Sequence, residues 1–115
     1  MGNTNQPEDN QEKMRELQMQ EQIIQQILMQ KQSAEAEISE TDSILKEIER
    51  TNEDIYKIVG QLMIKTEQSK IKEEMNERKK RLEIRKEKLD NQEKEIQDKL
   101  QELRKTVTEK QKKDK

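Results

Sequence analysis

Apolar residues recur every seven positions along two stretches of this chain, and the two stretches mirror each other about Gly60. Counted outward from that glycine, Leu45 falls opposite Met75, Ile38 opposite Leu82, Ile24 opposite Ile96 and Leu17 opposite Leu103, with Lys31 against Leu89 the one polar intrusion. A seven-residue repeat marks helices that pack along a seam, and a mirrored pair of repeats predicts that the second arm folds back antiparallel on the first. With Leu17, Ile24, Lys31, Ile38 and Leu45 at heptad position a, the d positions of arm one are Gln20, Ile27, Ala34, Thr41 and Ile48. Arm two places Met75, Leu82, Leu89, Ile96 and Leu103 at d and Lys72, Lys79, Lys86, Glu93, Leu100 and Val107 at a. Because an antiparallel pair layers a against d, the alternate layers are Ile48 with Lys72, Thr41 with Lys79, Ala34 with Lys86, Ile27 with Glu93 and Gln20 with Leu100. Each is at best half apolar, so the seam is expected to be marginal by itself and the arms supple.

Composition rules out the obvious alternative, a compact core. Of 115 residues only 27% are hydrophobic and 1% aromatic, while 43% are charged, too little apolar surface to close a globule. One Pro and two Gly leave few turn residues, which again favours long helices. Cys and His are both absent, which removes thiolate and imidazole metal ligands, disulfides and the commonest general base. Neither catalysis nor a cofactor or metal is expected. No apolar run approaches the ~20 residues that span a bilayer, so a soluble cytoplasmic protein with no membrane partner is expected. Met1-Gly2 would suit N-myristoylation, but Gln6 stands where that signal takes Ser or Thr. The net charge of −2 is the balance of unlike halves: residues 1–54 carry 5 basic and 13 acidic side chains, residues 55–115 carry 19 and 13. Folding the arms together brings opposite fields into contact, which favours the hairpin over self-association of like arms.

Between the arms the helical spacing stops. Ile55-Tyr56-Lys57-Ile58-Val59 and Leu62-Met63-Ile64-Lys65-Thr66 are rich in β-branched residues and flank Gly60-Gln61, the arrangement of a two-residue II′ hairpin in which Gly60 takes a positive φ. By alternation, Ile55, Val59 and Met63 fall on one set of positions and Tyr56, Ile58, Leu62 and Ile64 on the other, so neither face is cleanly polar. The competing reading is one unbroken helix with Gly60 as a tolerated defect; the β-branched run opposes it. Since a lone two-stranded sheet is marginal and exposes both edges, partner strands from other subunits are expected. The chain is thus read as a disordered polar leader at 1–12, arm one at 13–50, a β-hairpin linker at 51–67, arm two at 68–110 and a lysine-rich tail at 111–115.

Arm one holds more apolar side chains than its seam uses. Met14, Met19, Ile23, Leu28 and Met29 fall at c, e, f or g positions far in sequence from the hairpin, and Leu100, Leu103 and Val107 enrich the matching part of arm two. Exposed apolar area of this kind suggests an interaction surface, and unbranched methionine suits varied partners. Packing against another arm in an ordinary bundle is the competing account. The basic run Arg78-Lys79-Lys80-Arg81, with Arg85, Lys86 and Lys88, is broken by Glu77, Glu83 and Glu87; it reads as a solvated helix face rather than a nucleic-acid site. Lys110, Lys112, Lys113 and Lys115 read as a frayed, solubilising end.

Asp54-Ile55-Tyr56-Lys57-Ile58-Val59-Gly60, then Leu62-Met63-Ile64-Lys65-Thr66, set between matched Gln-rich coiled-coil arms, resembles the β-type subunit of prefoldin, archaeal forms in particular, over about residues 13–108. The resemblance implies a mainly α fold with a small β element: a long antiparallel coiled-coil hairpin whose arms are joined by one β-hairpin that assembles into an intersubunit β-barrel. It implies a hexamer of two α-type and four β-type subunits, an ATP-independent holdase that grips unfolded proteins at the arm ends and delivers them to a group II chaperonin. Carried over by position, Met14, Leu17, Met19, Ile23, Ile24, Ile27, Leu28, Leu100, Leu103 and Val107 would contact client, and Ile55, Tyr56, Ile58, Val59, Gly60, Leu62, Met63 and Ile64 would build the assembly platform. The rival readings are a structural coiled-coil scaffold and a basic nucleic-acid-associated helix.

Overall fold

The computed structural model describes residues 6–113, with side chains described from 10 to 108. Two long helices, α1 (Gln6–Arg50) and α2 (Gln68–Lys113), are joined through strands β1 (Ile55–Val59) and β2 (Leu62–Thr66). Helix α1 starts at Gln6, ahead of the boundary near Glu12 read from the apolar spacing. Pro7 sits in the first turn, where a helix has no use for the missing N–H and the fixed φ suits it, so the polar stretch need not interrupt the helix. Residues 1–5 of the expected leader, the side chains of the lysine tail and the Met1-Gly2 signal lie outside the described residues. Helix α2 runs on past Lys110 to Lys113.

The chain divides into two units, residues 32–87 and residues 1–31 with 88–115. In the first unit the helices pair antiparallel, as a heptad-spaced series of ion pairs records: Lys86 to Glu35 at 3.7 Å, Lys79 to Asp42 at 2.7 Å and Lys72 to Glu49 at 3.2 Å. Each lysine occupies a in α2 and each acid occupies e in α1, one residue past Ala34, Thr41 and Ile48. Those three d residues are buried, Thr41 completely. The layers that looked weakest in sequence therefore hold the best-buried side chains of α1. Beside them the lysine ammonium groups reach the flanking carboxylates. Ile38, Leu45 and Met75, which looked strongest, are only half-buried. The Thr41 hydroxyl is satisfied inside its own helix by donating to the Glu37 carbonyl at 2.7 Å, the i−4 bond open to a helical threonine. Ile71, outside the heptad assignment, is buried where Lys72 is exposed.

The passage from helix to sheet is secured locally. Thr51 donates its backbone N–H to Glu47 O at 3.0 Å, and the Gln68 side chain donates to Ile48 O at 2.6 Å. Terminal helix carbonyls lack intrahelical donors, so the first residue of α2 caps the last turn of α1. Strands β1 and β2 pair antiparallel with Val59 opposite Leu62, Ile58 opposite Met63, Lys57 opposite Ile64, Tyr56 opposite Lys65 and Ile55 opposite Thr66. Gly60 has φ +62° and among the described residues no non-glycine residue has positive φ, which is the II′ pattern the Gly-Gln loop predicted. The register corrects the assignment of faces. Ile55, Lys57 and Val59 share a face with Thr66, Ile64 and Leu62, whereas Tyr56 and Ile58 share the other with Lys65 and Met63. Alternation by residue number fails across a two-residue loop, because odd positions of one strand then pair with even positions of the next.

In the second unit Glu21 meets Arg104 at 3.2 Å and Lys31 meets Glu93 at 2.7 Å. Positions rise along α1 as they fall along α2, so the pairing is again antiparallel. Ile24, Ile27, Leu89, Leu100 and Val107 are buried along its seam.

Candidate functional site

Two surfaces carry the chain's uncommitted apolar side chains. The first is the sheet. Ile58, Leu62 and Met63 are each at least 66% exposed, Tyr56, Val59 and Ile64 are exposed to a lesser degree, and Ile55 is half-buried. The face holding Lys57 is tied to α2 by the bond from Lys57 Nζ to Glu74 at 2.8 Å. The other face offers Tyr56, Ile58 and Met63, all exposed, flanked by the pair of Lys65 with Asp54 at 3.5 Å. Among the described residues no third strand joins the sheet, so each strand keeps an outer row of backbone groups with no ladder partner. Every one of the eight residues assigned to assembly thus lies in this hairpin, seven of them exposed.

The second surface lies on α1 in the unit of residues 1–31 and 88–115. Of the ten residues assigned to client contact, Met14, Met19 and Ile23 are exposed, and Leu17, Leu28 and Leu103 are half-buried. Ile24, Ile27, Leu100 and Val107 are the seam itself. Heptad position is the physical reason for the division: a and d side chains turn inward and c, e, f and g side chains turn out. Met29, at f, is 69% exposed and belongs with Met14 and Met19. Its heptad position is the signal for this, since it counts among the surplus apolar residues of arm one without being assigned to contact.

Electrostatics at the inner boundary of this unit are concentrated on Lys31. Its ammonium lies 2.8 Å from Asp90 and 2.7 Å from Glu93. The hydrogen bonds it donates to Asp90 and then Glu93 hold it well above the ordinary lysine range, outweighing the opposing effect of desolvation. The polar intrusion at this a position is therefore a bridged one. Lys79 is shifted the same way by its bond to Asp42. Among the described residues no helix is long and apolar enough to cross a membrane.

Two long helices packed along a heptad seam and joined through a small open-edged sheet define the class: coiled-coil proteins with a sheet-forming linker. A family model described as prefoldin subunit matches residues 8–114, and the chain belongs to that family. Members are chaperone subunits rather than enzymes and assemble with other prefoldin subunits. The prefoldin subunit beta of Pyrococcus furiosus is 39% identical over 57 residues, 48% of this chain and 49% of that protein. The chain thus spans about half the length of that curated relative. The crystal structure of the prefoldin beta subunit from Thermococcus strain KS-1 superposes with a TM-score of 0.82 at 33% identity, covering 88% of this chain and 90% of that one.

Proposed function

We propose that this chain is the β-type subunit of a prefoldin hexamer, with two α-type and four β-type subunits, and that it holds unfolded proteins without ATP for delivery to a group II chaperonin. The carrying observation is the exposure of Met14, Met19, Ile23 and Met29 on one helix outside its seam. Apolar area of this sort costs solubility unless something covers it, and thioether side chains repack against many shapes. Several such surfaces held in one assembly grip through avidity, each individually weak and reversible. The open-edged hairpin supplies the assembly, by pairing with hairpins of neighbouring subunits. The work is done in the cytoplasm.

Replacing Met19, Ile23 and Met29 with Ser tests this. None lies in the seam, so the variant is expected to keep its helix content and its assembly with the α-type, two-hairpin partner while losing most of its suppression of client aggregation. Suppression equal to that of the parent would overturn the assignment of the client surface. A purely structural scaffold would suppress aggregation in neither form.

A further inference from the structure

In the unit that carries the exposed methionines lies a groove of about 820 Å³ whose lining is dominated by one side chain type. Gln18, Gln22 and Gln25 of α1 and Gln97 and Gln101 of α2 line it, over a floor that includes Ile24 and Leu100. All five glutamines are exposed, while Ile24 and Leu100 are buried. The ion pair of Arg104 with Glu21 at 3.2 Å closes the helices together at this point, and both residues line the groove. Gln97 donates to Glu93 at a long 3.4 Å, which leaves its carbonyl oxygen free to accept.

We propose that this groove binds the backbone of the client, an extended polypeptide, through the glutamine amides. It rests on the holdase reading above and names what that reading lacks, a way to hold the peptide groups that lie between apolar side chains. A glutamine amide carries two donors and a carbonyl acceptor, the same pair of functions as a peptide group, and no charge, so it matches every unfolded sequence equally. An apolar surface alone strips water from client peptide groups without replacing their hydrogen bonds, and each such loss is costly. From Gln18 to Gln25 the helix rises about 10 Å, the length of about three residues of extended chain. Met14 and Leu28 stand at i−4 and i+3 from the two ends of that span, on the same stripe of α1. Along the stripe Met14, Gln18, Glu21, Gln25, Leu28 the two ends thus offer apolar side chains, and Gln18 and Gln25 offer amides between them on either side of the paired Glu21.

The test compares two fluorescein-labelled leucine- and valine-rich peptides of one sequence, one all-amide and one with alternate amides replaced by esters, binding to the full chain by fluorescence anisotropy. Esters remove backbone donors and keep the side chains. The parent chain is expected to bind the amide peptide about tenfold more tightly than the ester, the yield of one to two net hydrogen bonds. A variant with all five glutamines replaced by Met keeps side-chain length and adds apolar area, and is expected to lose that preference. Equal binding of the two peptides by the parent, or an undiminished preference for the amide peptide in the methionine variant, would overturn the groove and leave the holdase reading standing. Binding of neither peptide by the parent chain assembled with its α-type partner would overturn the holdase reading itself, and the groove with it.

Discussion

Gly60 is the residue on which the change from helix to sheet turns. Its φ of +62° lies where a Cβ collides with its own backbone, at a cost of about 1–2 kcal/mol for ordinary residues. A Cβ built there meets nothing else within 4 Å, so the penalty of substitution is conformational and unmixed with packing. Gly60→Ala is therefore expected to destabilise by about 1–2 kcal/mol and Gly60→Asn by less, since Asn tolerates the left-handed region. Urea unfolding of the parent and the two variants would measure it. Equal midpoints for the parent and the Gly60→Ala variant would mean that the hairpin does not unfold with the rest.

Among the elements, the helices show how far a heptad pattern can be read and where it stops. Repeat, orientation and hairpin position were all legible, because each is a matter of periodicity and mirrored spacing. Which layers carry the burial was not. A lysine at a looks like a defect in a list of residue types, yet the acids at e, Glu35, Asp42 and Glu49, give its ammonium group a partner beside the buried d residue. That pairing needs three-dimensional register across helices, as does the sharing of faces in the hairpin. The seam residues Ile24, Ile27, Leu100 and Val107 are a separate case: their a and d positions already marked them for the seam, and hydrophobicity alone grouped them with the client surface. Lys31 follows the same rule from α1, reaching Asp90 at e of α2 as well as Glu93. Folding raises its affinity for the proton above the ordinary value of 10.5, so its stabilisation is complete below that pH and is lost as pH climbs through the raised folded value. The gap in melting temperature between the parent and Lys31→Met is expected to stay constant from about pH 7 to 10 and to narrow above 10.5. Thermal unfolding at a series of alkaline pH values would check it. A gap that widens there would contradict the bridging role.

For the whole molecule, the question is what a chain so poor in core gains by spending six exposed apolar side chains on ten strand residues. Two strands cannot stabilise themselves by their own ladder, and Ile58, Met63, Leu62 and Ile64 all remain exposed on them. Membership of a family that assembles with related subunits points to other hairpins as the missing neighbours. The seam needs no such neighbour, since its ion pairs and buried d layers are internal to each unit. Assembly and helix pairing should therefore separate under mutation. Replacing Ile58 and Met63 together with Lys places two like charges directly opposite on one face, which opposes both the local pairing and any approach of a further strand. The double variant is expected to keep nearly all of its helical circular dichroism while failing to enter a complex with a two-hairpin partner. Mass measurement of the mixture would show the difference. If the variant assembles as the parent does, the helices and not the sheet join the subunits, and the hairpin would be only a connector between them.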